Sequence, residues 1–142
     1  MRIAIAGDHG GFKLKSEIIK HLESKGFEYK DLGTYNEDSV DYPDYGQAVG
    51  KAVASGEFDR GIIICGTGIG ISIAANKIPG IRAALCGDCF SAKASREHND
   101  ANVLALGERV IGVELAKMIT DIWLETKFAG GRHEKRVEKI EG

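Results

Sequence analysis

Cys65-Gly66-Thr67-Gly68-Ile69-Gly70 sets a thiol directly against a glycine-rich run. Glycines let a backbone come close to a ligand, and free amides at the start of a helix stabilise an anion. No Gly-Lys-Ser/Thr follows, so the run is not a Walker loop. Its last glycine also falls one place too early for the dinucleotide fingerprint. A tight strand-to-helix turn is the plain alternative. Cys65 ends the preceding apolar stretch. A free thiol, with a pKa of about 8.5, is only slightly ionised at neutral pH. A helix N-terminus favours the thiolate and would make Cys65 a base or nucleophile. Equally, a cysteine there serves as a small buried apolar residue.

Three further groups carry chemical potential. Asp8-His9-Gly10-Gly11 follows the first apolar run and stands beside the glycine loop if the first and third strands are neighbours. Otherwise Asp8 is a helix cap that accepts backbone N–H bonds. His98-Asn99-Asp100 closes a helical stretch, where a histidine is by default a cation on the helix dipole. Arg132 and Arg136 are four apart and share one face of a helix. Two guanidinium forks on one face hold a phosphate through charge-assisted bonds. Glu134, Glu138 and Glu141 lie among them, as they would in an ordinary charged tail. Arg109, after the Gly107-Glu108 turn, is a third candidate. His21 lies on the charged side of the first helix and reads as solvated. Cys86-Gly87-Asp88-Cys89 is a lone C-x-x-C without a second pair, so a zinc site is disfavoured and incidental cysteines are preferred to a redox pair.

The elements that must position these residues alternate regularly. Apolar runs at residues 2–6, 27–32, 61–65, 81–86 and 103–106 read as strands. Helical spacing follows each one: Phe12 to Leu22 with Gly26 as a stop, Pro43 to about Ser55, Ile73 to Lys77, Ser91 to His98, and residues 113–128. In the last of these, Leu115, Met118, Ile119, Ile122 and Trp123 fall on one face. Residues 33–45 form a polar loop carrying Tyr42. Regular βα alternation implies an α/β fold: a three-layer α/β/α, Rossmann-like arrangement with a five-stranded parallel sheet flanked by helices. Ligands of such sheets bind outside the carboxyl ends of the strands, which selects Asp8-His9, Cys65 to Gly70 and the segment after Cys86.

The 142 residues suit a single domain, residues 1–142. A net charge of −2 and a pI near 6.1 exclude a general nucleic-acid binder, which needs a basic excess. No apolar run approaches a signal-peptide core or a membrane span. Three cysteines are an odd number and too few for a disulfide framework, so a reduced, cytoplasmic protein is expected.

Four motifs in order, Gly7-Asp8-His9-Gly10-Gly11, Val40-Asp41-Tyr42-Pro43-Asp44, Cys65-Gly66-Thr67-Gly68-Ile69-Gly70 and Arg96-Glu97-His98-Asn99-Asp100-Ala101-Asn102, resemble the type B ribose-5-phosphate isomerases. That family also holds galactose-6-phosphate and allose-6-phosphate isomerases, and the resemblance runs along essentially the whole chain. It implies interconversion of an aldose phosphate and a ketose phosphate without metal or cofactor, in the pentose phosphate pathway for the five-carbon case. By this resemblance Cys65 is the base that moves a proton between C1 and C2. Gly66, Thr67, Gly68, Ile69 and Gly70 stabilise the enediolate, with the Thr67 hydroxyl near ring opening, and His98 is the acid/base that opens the ring. Asp8, Tyr42 and Asn99 would hold sugar hydroxyls. His9, Arg109, Arg132 and Arg136 would hold the phosphate. Some family members use a glutamate just after the glycine loop as the base; here that position is Ile71, which takes no proton.

The resemblance further implies a homodimer, in some members paired into tetramers, with sites at the subunit interface built from both chains. The apolar face with Trp123 would serve that contact or the monomer core. Ribose 5-phosphate is the favoured substrate because one chain carries both Cys65 and the arginine set. A six-carbon sugar phosphate is the alternative, and a non-catalytic phosphosugar sensor is the rival from another class.

Overall fold

Strand parity decides how this chain layers. Successive side chains of a strand point to opposite faces of its sheet, and the strands here are apolar on both. The computed structural model describes all 142 residues. Its elements are β1 (Arg2–Gly7), α1 (Phe12–Ser24), β2 (Glu28–Asp31), α2 (Tyr42–Ala54), β3 (Arg60–Cys65), α3 (Ile69–Asn76), β4 (Ala83–Leu85), α4 (Cys89–Glu97), β5 (Val103–Gly107), α5 (Val113–Glu125) and α6 (Arg132–Glu141). Ile3, Ile5, Ile62, Ile64, Leu104 and Leu106 face α1, α4 and α5. Ala4, Ala6, Ile63, Cys65, Val103 and Ala105 face α2 and α3. Because Cys65 has the parity of Ile63, its sulfur lies in the second layer, at the point where α3 begins.

The five strands are all parallel, in the order β2-β1-β3-β5-β4. The expected α/β/α architecture is therefore present. The chain moves outward from β1 to β2, then crosses back to place β3 on the other side of β1. The β1/β3 boundary is thus the topological switch point, where open α/β sheets bind their ligands. No helix is long and apolar enough to cross a membrane.

Several elements differ from the sequence reading. β4 is only Ala83–Leu85 at the sheet edge. Asn102 is the cause on one side: its side chain accepts from the Arg82 amide at 2.8 Å and so takes the place of a ladder bond. Met118, expected on the buried face of α5, is exposed. Trp123 belongs to the monomer core and is fully buried, with the Arg60 and Arg96 guanidinium groups 5.2 and 6.0 Å from its ring. His21 is not solvated; its Nε2 meets Asp121 at 2.6 Å and ties α1 to α5. The charged tail forms a separate helix, α6, after Gly130 and Gly131, both with positive φ.

Lys15 is a charge that no periodicity flagged. It is fully buried in α1, and its Nζ donates to Asp31 at 2.7 Å and to the Thr34 carbonyl at 2.6 Å. These bonds fasten the start of the loop that leads to Tyr42. Removing one partner of a buried pair typically costs about 3 kcal/mol or more. Lys15→Met is expected to lose about that much in urea denaturation, whereas a loss below about 1 kcal/mol would assign the hold to the aliphatic stem.

Candidate active site

The β1–β3 pairing brings the first two motifs together. Asp8 N–H donates to the Ile64 carbonyl at 3.2 Å, and a Cβ on Gly10 would lie 3.2 Å from the Gly66 nitrogen. Asp8 is buried, and its Oδ1 accepts from the Gly10 amide at 2.9 Å, an Asx turn rather than a helix cap. Gly68 has φ +79, and a Cβ there would meet Leu85 Cδ1 at 2.5 Å, so only glycine fits. In that conformation its amide donates to the Cys65 sulfur at 3.1 Å. Thr67 Oγ1 accepts from the Ile69 amide at 3.1 Å. The Tyr42 ring lies over Gly70, where a Cβ would come within 2.6 Å of it. Asp8, Tyr42, Cys65, Gly66, Thr67, Ile69 and Gly70 line one open cleft of about 380 Å³.

Two candidate anion-binding side chains flank this cleft. Arg109 is held by its amide, which donates to the Gly66 carbonyl at 2.9 Å, and its guanidinium passes beside Gly66. His9 Nδ1 accepts from the Val40 amide at 3.1 Å, which puts the proton of a neutral ring on Nε2, free to donate to an anion.

His98, Asn99, Arg132 and Arg136 do not join the cleft within one chain. Strand register shows why. Cys65 pairs with Gly107 at the carboxyl end of the sheet, while Gly61 pairs with Val103 at the other end. These ends are four residues apart, or roughly 13 Å along a strand. α4 runs back over the sheet, so His98 and Asn99 emerge just before β5, at the end opposite Cys65. There His98 stacks on His133, with ring centroids 4.5 Å apart and planes at 18°. Lost hydration first, then His98, Arg132 and Arg136, hold the His133 pKa below the ordinary histidine value. His98, Arg132, His133 and Arg136 therefore lie close together, with the Glu97 carboxylate opposing them. His133 went unread in the sequence; its only signal was its place between the two arginines.

The pairing of the arginines separates structural from available charge. Arg2, Arg60, Arg82 and Arg96 are all engaged through their guanidinium groups within the chain. The other three, Arg109, Arg132 and Arg136, are exposed and form no side-chain hydrogen bond or ion pair. Burial pushes the Cys86 thiol up to about 11, so this cysteine stays protonated and is a poor redox nucleophile. Ile71 is fully buried against α2 and is core.

A parallel α/β sheet with a thiol, a carboxylate, a phenol and a glycine loop gathered in a cleft at its switch point has the architecture of an α/β ligand-binding or enzyme domain. The family model described as Ribose/Galactose Isomerase matches residues 3–140, and the chain belongs to that family. It is 58% identical over 139 residues to ribose-5-phosphate isomerase B of Escherichia coli strain K12, covering 98% of this chain and 93% of that one. Its structure resembles that of Clostridium thermocellum ribose-5-phosphate isomerase B with a TM-score of 0.98 at 61% identity, over 99% and 95% of the two chains. A ribose 5-phosphate isomerase from Thermotoga maritima gives a TM-score of 0.97 at 54% identity, over 99% and 97%.

Proposed function

We propose that this protein interconverts D-ribose 5-phosphate and D-ribulose 5-phosphate, using Cys65 as the base. The observation that carries the reading is the Cys65 sulfur held by the Gly68 amide at the floor of the cleft. That bond holds the sulfur in place at the cleft, where a thiolate can accept both it and a substrate proton. The thiolate takes the proton from C2 of the opened aldose. The electrons form an enediolate, the proton of the C2 hydroxyl passes to the C1 oxygen, and Cys65 returns its own proton to C1, leaving the C2 carbonyl of the ketose. The amides of Gly66 to Gly70 other than those of Gly68 and Ile69, which are bound to Cys65 and Thr67, face the oxygen on which charge develops. Asp8 and Tyr42 hold hydroxyls, and Thr67 stands near the ring oxygen.

The reading requires two copies. His98, Asn99, Arg132 and Arg136 of one protomer complete the cleft of the other, so that ring opening by His98 and the phosphate anchor come from the partner. Arg109 adds positive charge, and His9 an Nε2–H donor, from the chain that carries Cys65. The protein is accordingly a homodimer in this proposal.

The test is turnover of ribose 5-phosphate beside allose 6-phosphate, with EDTA present. Formation of ribulose 5-phosphate at the higher kcat/KM is the expected result. Turnover of allose 6-phosphate alone would keep the chemistry and replace the substrate, and turnover of neither would favour a binding protein.

A further inference from the structure

Arg82, in the turn before β4, touches every segment that bears the second group of site residues. Its Nε donates to the carbonyls of Asn99 and Asp100, each at 3.1 Å, and Nη2 donates to the Asp100 carbonyl at 2.9 Å. Nη1 binds the Glu141 carboxylate at the far end of α6. Asp100 has φ 47, in the left-handed region, and its carboxylate accepts from Arg96 at 2.9 Å. Arg96 is itself buried and donates to the Ala101 carbonyl at 2.6 Å. The turn after His98 is thus built on two guanidinium groups.

Within its own chain α6 has little else to hold it. It is 10 residues long and buries none of them. A helix of that length is marginal in water without tertiary support. Its one polar tie to the rest of the chain is Arg82–Glu141; the His98–His133 stack supports the opposite end. Arg132 adjoins the stack and Arg136 lies between the two supports.

We propose that Arg82 is a positioning residue for the isomerase site. Through Glu141 it fixes the direction in which α6 presents Arg132 and Arg136. Through the carbonyls of Asn99 and Asp100 it fixes the turn that presents His98. If α6 frays, the entropy of reordering it falls on ligand binding. This inference rests on the reading of Arg132 and Arg136 as the phosphate anchor.

The experiment compares Glu141→Gln, Arg82→Gln, the double variant and the control Lys139→Gln, an α6 residue with no ion pair. The readouts are kcat and the competitive inhibition constant of inorganic phosphate. Glu141→Gln is expected to raise the inhibition constant about fivefold, with a smaller change in kcat. Arg82→Gln should raise it as far and lower kcat about tenfold as well, because the His98 turn also loosens. The double variant should match Arg82→Gln alone, and Lys139→Gln should match wild type. An inhibition constant does not depend on how much of the enzyme is folded, so a merely structural role would not move it. Unchanged constants in both single variants, with wild type active and inhibited by phosphate, would overturn the proposal and leave the isomerase reading intact. Absence of phosphate inhibition in wild type would overturn the anchor itself. Should Arg82→Gln fail to fold, Glu141→Gln at its surface position decides.

Discussion

Replacing Cys65 with alanine is expected to lower kcat for ribose 5-phosphate by about a thousandfold or more, with phosphate inhibition within about threefold of wild type. The size of the effect follows from what else lines the cleft. Asp8 is the only other carboxylate there, and it is buried with its Oδ1 committed to the Gly10 amide. Tyr42 and Thr67 offer hydroxyls, which are far weaker carbon bases than a thiolate near neutral pH. Ile71 stands where a glutamate would serve, and it is packed in the core. Binding should survive because the cationic groups are contributed by other residues. Exchange of the C2 proton with solvent deuterium should be lost together with turnover, since both begin with the same proton transfer. A variant that keeps more than about a tenth of wild-type activity would remove Cys65 as the base, and Asp8 would then be the next group to change. A sensor, in contrast, would bind phosphosugar equally well with or without the thiol and show no exchange in either form.

Much of this arrangement was legible because it depends on short-range patterns. Apolar runs followed by glycine placed the strands, and the place of Cys65 at the end of one of them set it beside the start of the next helix. The Gly7 to Gly11 and Cys65 to Gly70 segments could be paired on the single assumption that β1 and β3 are neighbours, which the sheet order fulfils. What escaped reading was long-range and polar. Lys15 looks like any charge between apolar helix positions, and its burial depends on Asp31 and a backbone carbonyl brought to it by β2 and the loop that follows. His21 looked solvated because its partner is Asp121, one hundred residues away. Glu108 read as part of a turn, yet its carboxylate accepts from the Leu14 amide at 2.7 Å and stabilises the start of α1. The division of the site was equally invisible locally. His98 and Cys65 each end an element, and only the direction of α4 over the sheet shows that they lie at opposite ends.

That division sets the second large effect. Cys65→Ala and His98→Asn should each be nearly inactive alone, the second by about a hundredfold, yet mixed dimers of the two should recover about half of the wild-type activity per dimer. The arithmetic is that of an isologous pair in which each cleft draws Cys65 from one chain and His98 from the other. In a mixed dimer, one cleft receives both altered residues and the other receives both native ones. Two different affinity tags, used in sequence after co-expression, isolate the mixed species from the inactive parents. A steady-state rate near half that of a doubly tagged wild-type dimer is the expected result. The alternative geometry gives a different number. If each chain closed its own cleft with its own His98, every cleft in the mixed dimer would hold one altered residue, and the rate per dimer would be about half that of the less impaired parent. The same preparation also tests the anchor. Adding Arg132→Ala to the Cys65→Ala chain removes a phosphate contact from the one intact cleft, whereas adding it to the His98→Asn chain removes it from the dead one. KM should therefore rise about tenfold in the first combination and stay unchanged in the second. The reverse pattern, a rise only in the second combination, would show that Arg132 serves the cleft of its own chain and would require a different path for α6.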